Sequence, residues 1–554
     1  MKAAILGAGP AGLYLAIVLK KADPAHDLTV YERNAPDATF GWGVVFSEET
    51  LGALRDADYA SFIEITDTFA RWDAIDISYR ATVLRSRGHA FAAIARKRLL
   101  NILQRRAAEL GVVQRFGVEV SDLQAITAGA DLLVGADGVH SVVRDSAPDA
   151  FLTTVTPQGC KYIWFGTDLV FDAFRFIFTD TDEGVFQVHG YPFDENTSTF
   201  IVECPEPTWR AAGLEEMSAQ ETISFCEKLF ADELAGHRLL SNNASWLSFP
   251  RVRNRHWHSV YKHRNGAHRN GAGQGVPTVL IGDAAHTAHF TIGSGTKLAM
   301  EDAVSLAAAF IRHGHDSRSA IQAALAHYEQ DRMPVVERFQ QAAAESADYF
   351  ARVRHHIDLA PPQFAFNLLT RSGRISHLNL ALRDAEFVRA VDSWFASGGA
   401  STQRISPPPA FAPLDLRTVR LRNRMISMRP DNWAAGARAG AGLVLTDLVA
   451  ASDDGRLTPD TPVLRTGADA AHLRTGVDAA HAEGAAVSLL LGHAGRRGAT
   501  RSPLRGVDVP LPTSEAWPLT APSAVRYGPF SQIPEPMDAE GLARVREAFV
   551  AAAL

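Results

Sequence analysis

Cysteine is scarce in this chain, charge is nearly balanced, and long apolar runs are missing. Three cysteines (Cys160, Cys204, Cys226) in 554 residues cannot frame a disulfide-rich fold. None of them stands at C-x-x-C spacing, which argues against a zinc knuckle or a thioredoxin-type centre, so no metal site is expected. No stretch reaches the roughly 18 apolar residues of a transmembrane helix, so no membrane association is expected. Lys and Arg total 55 against 62 Asp and Glu, a net charge of -7, which gives no overall attraction to nucleic acid. The glycine-centred N-terminus lacks a signal-peptide cleavage pattern. A cytoplasmic setting is the default that follows.

The chain is otherwise of ordinary globular composition, with 46% apolar and 21% charged residues. Residues 3–33 read as one βαβ unit: a strand (Ala3–Leu6), a glycine turn, a helix (Pro10–Lys21) and a second strand (Leu28–Glu32). Helical spacing recurs at 98–110 and a buried strand at 131–136. Between about 160 and 205 the pattern becomes short, aromatic-rich alternating runs, the mark of an antiparallel sheet. Ser218 and Glu221 form a capping box that opens a helix. A strand at 278–282 precedes helices at Gly295–His313 and from Ser319 to about His355, with Pro334 a kink point. Residues 397–411 read as a linker. Strands follow near 423–428, 441–446 and 485–492.

Three separated motifs converge on one chemistry. Gly7-Ala8-Gly9-Pro10-Ala11-Gly12 lies between strand and helix: the first glycine makes the turn, the second admits a pyrophosphate, and the third lets helix and strand pack. Glu32, with Arg33 beside it, ends the second strand where an acid accepts ribose hydroxyls. Asp137-Gly138 follows the strand 131–136, and Gly282-Asp283 follows the strand 278–282. The latter leads into Gly293-Ser294-Gly295-Thr296 at a helix start, whose amides would stabilise negative charge on a reduced flavin.

In this order and spacing the motifs resemble the FAD-dependent aromatic hydroxylases of the p-hydroxybenzoate hydroxylase class. The resemblance implies an α/β fold, Rossmann-like and FAD-binding (GR2), with an antiparallel substrate sheet inserted at about 155–265. It places Asp283 on the flavin's ribityl chain, Asp137 near the pyrophosphate and Arg96 against the cofactor. The flavin would be reduced by transiently bound NADH or NADPH, and O2 would yield a C4a-hydroperoxide that hydroxylates an aromatic ring.

Where most of that class has Pro-Pro and Asn, this chain has His289-Phe290 and Lys297. The run 286–303, with Trp42-Gly43-Val44-Val45, Phe165-Gly166-Thr167 and Leu369-Thr370-Arg371-Ser372, resembles the salicylyl-CoA 5-hydroxylase and anthraniloyl-CoA monooxygenase subgroup. The implied substrate is an aryl-CoA thioester hydroxylated at ring position 5. Two alternatives stay open: a free aromatic or indole substrate, and a redox-inert flavoprotein with an assembly role.

The catalytic candidates are His289, Lys297 and His286. His289 reads equally as a substrate or flavin-edge contact and as a packed histidine. His286 reads rather as structural, and Lys297 as a substrate-orienting group or a turn cap. The basic stretch 251–269 would suit CoA phosphates or be a solvated loop. Residues 412–554 resemble the opening of an old-yellow-enzyme-type (β/α) barrel, with His493 and Arg496 at its FMN positions. A complete barrel needs about 250 residues, so FMN binding and independent reductase activity are not expected there. A homodimer is a further arrangement the sequence leaves open.

Overall fold

In a computed structural model the chain divides into two compact units, Met1–Val388 and Arg389–Leu554. The structure describes residues 1–36, 38, 41–47, 51–261, 275–399, 406–428 and 432–554. Most of the basic loop after Tyr261 and part of the expected linker lie outside the described residues.

The first unit is built on a six-stranded sheet in the order His258–Tyr261, Val276–Leu280, Leu132–Gly135, Lys2–Leu6, Asp27–Tyr31, Val113–Arg115. All neighbours are parallel except the His258–Tyr261 edge strand. Parallel strands need crossovers, and helices supply them. Helix α1 (Pro10–Ala22) buries Leu13 through Leu19 almost completely, which explains why its sequence is apolar all round. Helix α2 (Arg96–Glu109) buries one face, the stripe Leu99, Ile102, Leu103 at i, i+3 and i+4 flanked by Leu100 and Ala107. Helix α3 (Gly295–His313) matches its expected span, and α4 (Arg318–Ala351) carries Pro334 in its interior.

A second, larger sheet runs Leu239–Leu240, Thr154–Thr167, Ser198–Pro205, Gly184–Pro192, Phe174–Thr181, Ile75–Tyr79, Thr82–Ser86. The alternating runs between 160 and 205 do pair antiparallel. The sheet also recruits Ile75–Tyr79, which the sequence pattern leaves unassigned and which pairs parallel with Phe174–Thr181. The capping box forms in full: Ser218 N–H donates to Glu221, and Glu221 N–H donates to the Ser218 hydroxyl.

The second unit holds a parallel three-stranded sheet of Ile426–Ser427, Leu443–Ala450 and Ala486–Gly492, with helices Trp433–Arg438, Ala470–Ala482 and Ala539–Ala553. His493 Nδ1 accepts from Gly495 N–H at 3.1 Å, and Arg496 is exposed.

A buried carboxylate organises the first unit. Asp302 on α3 accepts from Gly282 N–H at 3.0 Å, meets His286 Nε2 at 2.7 Å and accepts from Arg332 Nε of α4 at 3.0 Å. Burial pushes its carboxyl up, but His286, Arg332 and the Gly282 amide outweigh burial and hold it below the usual carboxylate range. Removing one partner of such a buried group costs on the order of 3–5 kcal/mol. Asp302→Ala is therefore expected to lower the urea midpoint sharply by a loss of that size. A change under about 1 kcal/mol would show that solvent already reaches the cluster.

Candidate active site

The glycine turn is fixed by contact distance. A Cβ on Gly7, which sits at φ +109°, would lie 2.2 Å from the Ala136 carbonyl oxygen, and one on Gly12 would lie 2.1 Å from that of Gly7. A Cβ on Gly9 would meet nothing within 4 Å, and Gly9 lines a cavity of about 690 Å³ with Pro10 and Ala11. Gly9 caps α1 without a side-chain hydrogen bond, so the helix end presents its amides to whatever occupies that space. Glu32 clamps the turn: it accepts from Ala8 N–H at 3.0 Å and from Asn34 N–H at 2.9 Å, while Arg33 is exposed. Gly138 also lines the cavity. Asp137 accepts from the Ser141 hydroxyl at 2.6 Å and Val142 N–H at 2.7 Å, so its carboxylate braces the turn that carries Gly138.

Deeper in, Asp283 and Arg96 both line the cavity, and neither side chain hydrogen-bonds to a described residue. Enclosure raises the Asp283 carboxyl against the opposing pull of His286 and Arg96. The same enclosure lowers Arg96, against Asp283 and Tyr191. Two uncommitted, oppositely charged groups facing one space are poised to bind a ligand with both donors and acceptors. Beyond them lies the start of α3. Gly293 stands at φ +60°, Ser294 supplies no side-chain cap, and the first backbone bond is Leu298 N–H to Ser294 at 3.0 Å. The Gly295, Thr296 and Lys297 backbone thus opens on the cavity. The Lys297 ammonium itself is engaged, 3.2 Å from Glu301 and 4.7 Å from the centre of the Phe339 ring.

The inner chamber is aromatic, walled by Trp164, Phe174, Phe176 and Tyr191, with His189 among its lining residues. Tyr191 donates its hydroxyl to the Gly43 carbonyl at 3.0 Å, fixing the ring. His189 Nε2 lies 2.8 Å from Glu203 Oε2, and both side chains are almost wholly buried. Burial pushes Glu203 up, but His189, His289 and Gln187 outweigh it and leave the carboxyl low. Sequence reasoning missed this pair. Gln187, His189 and Tyr191 share one face of a strand by alternation, which was the available signal; Glu203 comes from the neighbouring strand and had none.

The two candidate histidines sit apart from the lining. His286 is committed to Asp302, and its ring lies 5.0 Å from that of Trp257, a structural placement. His289 is buried against Phe290 and Phe249, with ring centres at 4.3 and 4.8 Å, and its Nε2 is 3.8 Å from Glu203. Burial holds His289 at about 4, so it is neutral at physiological pH. Arg374 and Arg383, both exposed, also line the cavity, as do Asn379 and His89.

These features define a dinucleotide-binding α/β fold with an aromatic-walled chamber beside the nucleotide-facing glycines. The FAD binding domain family profile matches residues 1–343, and the chain belongs to that family. It is 42% identical over 406 residues to a salicyloyl-CoA 5-hydroxylase of Streptomyces sp, covering 71% of this chain and 74% of that one. It is 33% identical over 384 residues to a 3-hydroxy-4-methyl-anthranilyl-(aryl-carrier protein) 5-monooxygenase of Streptosporangium sibiricum, covering 69% of this chain and 97% of that one. Among solved structures, the tetrameric form of 2-methyl-3-hydroxypyridine-5-carboxylic acid oxygenase aligns at TM-score 0.51 and 21% identity, over 70% of this chain and 96% of that one; it shares the fold. The protein is an FAD-dependent aromatic monooxygenase, with NAD(P)H the usual reductant of such enzymes.

The residues present fit FAD. Gly9 leaves room for a diphosphate, Asp283 and Arg96 offer free polar groups to a polyol and ring, and the α3 start offers amides to an anionic isoalloxazine edge. Asp283→Ala is expected to weaken FAD binding by roughly 10- to 100-fold, about 1.4–2.7 kcal/mol, read as flavin lost on gel filtration. Full flavin retention would move the polyol contact elsewhere.

A pH dependence follows from two buried histidines. Burial holds both His89 and His289 at about 4, below the roughly 6.5 of an unfolded histidine. The unfolded chain therefore takes up more protons between those values, and stability falls as pH drops from 6.5 toward 4. Each contributes on the order of 2 kcal/mol of loss between pH 7 and 5. His289→Gln should remove its share of that slope in urea titrations at the two pH values. An unchanged slope would mean that His289 titrates like a solvated imidazole.

Proposed function

We propose that the substrate is an aryl-CoA thioester, a 2-hydroxy- or 2-amino-benzoyl-CoA, hydroxylated at ring position 5. The observation that carries this reading is the mixed lining of one cavity. It combines the aromatic rings of Trp164, Phe174, Phe176 and Tyr191 with Arg374 and Arg383, which are exposed. An aryl ring suits the first and the phosphates of CoA suit the second. The Streptomyces relative, named for salicyloyl-CoA, supports it. The Streptosporangium relative, named for an aryl-carrier protein thioester, favours a second reading in which the same arginines receive a carrier-borne phosphopantetheine.

Bound FAD supplies the redox chemistry, taking a hydride from NAD(P)H and activating O2. The chain's own part is positional. Aromatic walls hold the ring and exclude water, Tyr191 is fixed by the Gly43 carbonyl, and the α3 amides stabilise negative charge beside the ring. His189, backed by Glu203, is a buried polar group that lines the cavity, and we assign it the orientation of the ring substituent.

We read the Thr154–Thr167 to Ser198–Pro205 strands as a substrate sheet inserted into the FAD fold, and residues 412–554 as the opening of a (β/α) barrel.

NAD(P)H oxidation with salicylyl-CoA, anthraniloyl-CoA and the free acids, with products weighed by mass spectrometry, tests the reading. Fast oxidation and a gain of one oxygen only with a thioester is expected, and Arg383→Glu should raise KM about tenfold with kcat little changed. Oxygenation of the free acids alone would assign a free aromatic substrate. Slow oxidation without product in every case would leave a flavoprotein with another role.

A further inference from the structure

We propose that Asp23, His26 and His315 form a binding site for a divalent transition metal, Zn²⁺ in the first place. The sequence carries no sign of it, because Asp23-x-x-His26 and His315 lie far apart in the chain and match no familiar ligand spacing. The fold brings them together where two helices end: Asp23 is the C-cap of α1, and His315 follows Gly314, the C-cap of α3. One ligand atom from each residue lies within 4.8 Å of the other two.

The geometry meets the requirements of a small metal site. Asp23 Oδ2 is 3.7 Å from His26 Nδ1 and 3.5 Å from His315 Nε2. Ligands around a tetrahedral Zn²⁺ with bonds of 2.0–2.1 Å stand roughly 3.3 Å apart, so the two carboxylate–imidazole separations need contract by only a few tenths of an ångström, while the imidazole pair, its ligand atoms within 4.8 Å, adjusts by ring rotation. These separations are long for hydrogen bonds, and the nitrogens are not committed to the carboxylate. The other oxygen of Asp23 accepts from Ala25 N–H at 2.9 Å, an outer contact that orients the carboxylate toward both imidazoles.

Charge and access agree. His26 Nδ1 also faces the amino group of Met1 at 3.5 Å, which a bound ion would displace. Both helices direct the negative ends of their dipoles here, which favours a cation. His26 is 2% exposed, whereas Asp23 is 38% and His315 24% exposed, leaving one open side for ion entry and a water ligand. Two nitrogens and one oxygen select Zn²⁺, Co²⁺ or Ni²⁺ over Mg²⁺ or Ca²⁺. Since α1 and α3 present their opposite ends to the cofactor cavity, the ion clips together the two helices that face it.

The test uses untagged holoenzyme, stripped with a chelator, desalted and titrated with ZnCl2 by calorimetry. One ion per chain at micromolar or tighter Kd is expected, weakened at least tenfold in both His315→Ala and Asp23→Asn and unchanged in His237→Ala, a surface control. Co²⁺ loading should give d–d absorption to the red of the flavin bands in the wild type and none in His315→Ala. Flavin content and circular dichroism confirm that each variant is folded, and either ligand variant suffices if the other is not. Absence of a saturable site, or equal affinity in the wild type and a folded ligand variant, overturns the assignment.

Discussion

The placement of the cofactor-facing groups depends on one buried anion. Asp302 is wholly inside the protein and can remain charged only because donors from three directions converge on it. By holding Gly282 N–H it fixes the end of the Val276–Leu280 strand, and so the direction in which the next residue, Asp283, enters the cavity. Because Asp302 belongs to α3, the same contacts set the position of that helix, whose first residues line the cavity too. Arg332 brings in α4 and continues to Glu301, which holds Lys297. A carboxylate that touches no ligand thus aims a free carboxylate and a helix start at one space.

That space is furnished largely by backbone. Two helices, α1 and α3, begin at the cavity without side-chain caps, which would be a local defect in an isolated helix. The defect is what makes them useful: uncapped amides are donors awaiting an anion. Glycine is needed for two different reasons along this surface. Gly7 and Gly12 are excluded from bearing a side chain by protein atoms little more than 2 Å away, whereas Gly9 faces open space, where a side chain would displace the ligand.

This division explains what could be read from the sequence. Backbone-driven features leave local marks: the glycine fingerprint, Gly138, the Gly282-Asp283 pair and the start of α3 were all visible, and the structure places Gly9, Gly138, Asp283, Arg96 and residues 293–297 around one cavity. His286 also read as structural for a reason the structure supplies in Asp302. Features that need two distant segments left no mark. The His189–Glu203 pair is a diagonal contact across two strands, Gly43–Ser47 pairs with Phe91–Ala95, and the Ile75–Tyr79 strand joins its sheet through a parallel neighbour about a hundred residues away. Alternation can show which face a residue occupies, but not what faces it.

His289-Phe290, where the wider class has Pro-Pro, gains a physical meaning from that missed pair. Glu203 lies in an aromatic interior, held by hydrogen bonds to His189 and Gln187, with His289 Nε2 3.8 Å away and Arg371 more distant. Phe290 stacks on His289 and meets His189 edge-on at 5.5 Å, and Phe290 and His189 both line the cavity. Arg371, its guanidinium 5.1 and 5.0 Å from the ring centres of Phe176 and Phe350, donates to the Thr291 carbonyl at 2.9 Å and so holds the next residue of the same loop. A proline pair would stiffen this loop through its own backbone. Here the loop is held from behind by charge and by rings, so its conformation is tied to the aromatic-walled chamber. A substitution at Glu203 would therefore reach the α3 start through the loop, although no atom of Glu203 lines the cavity.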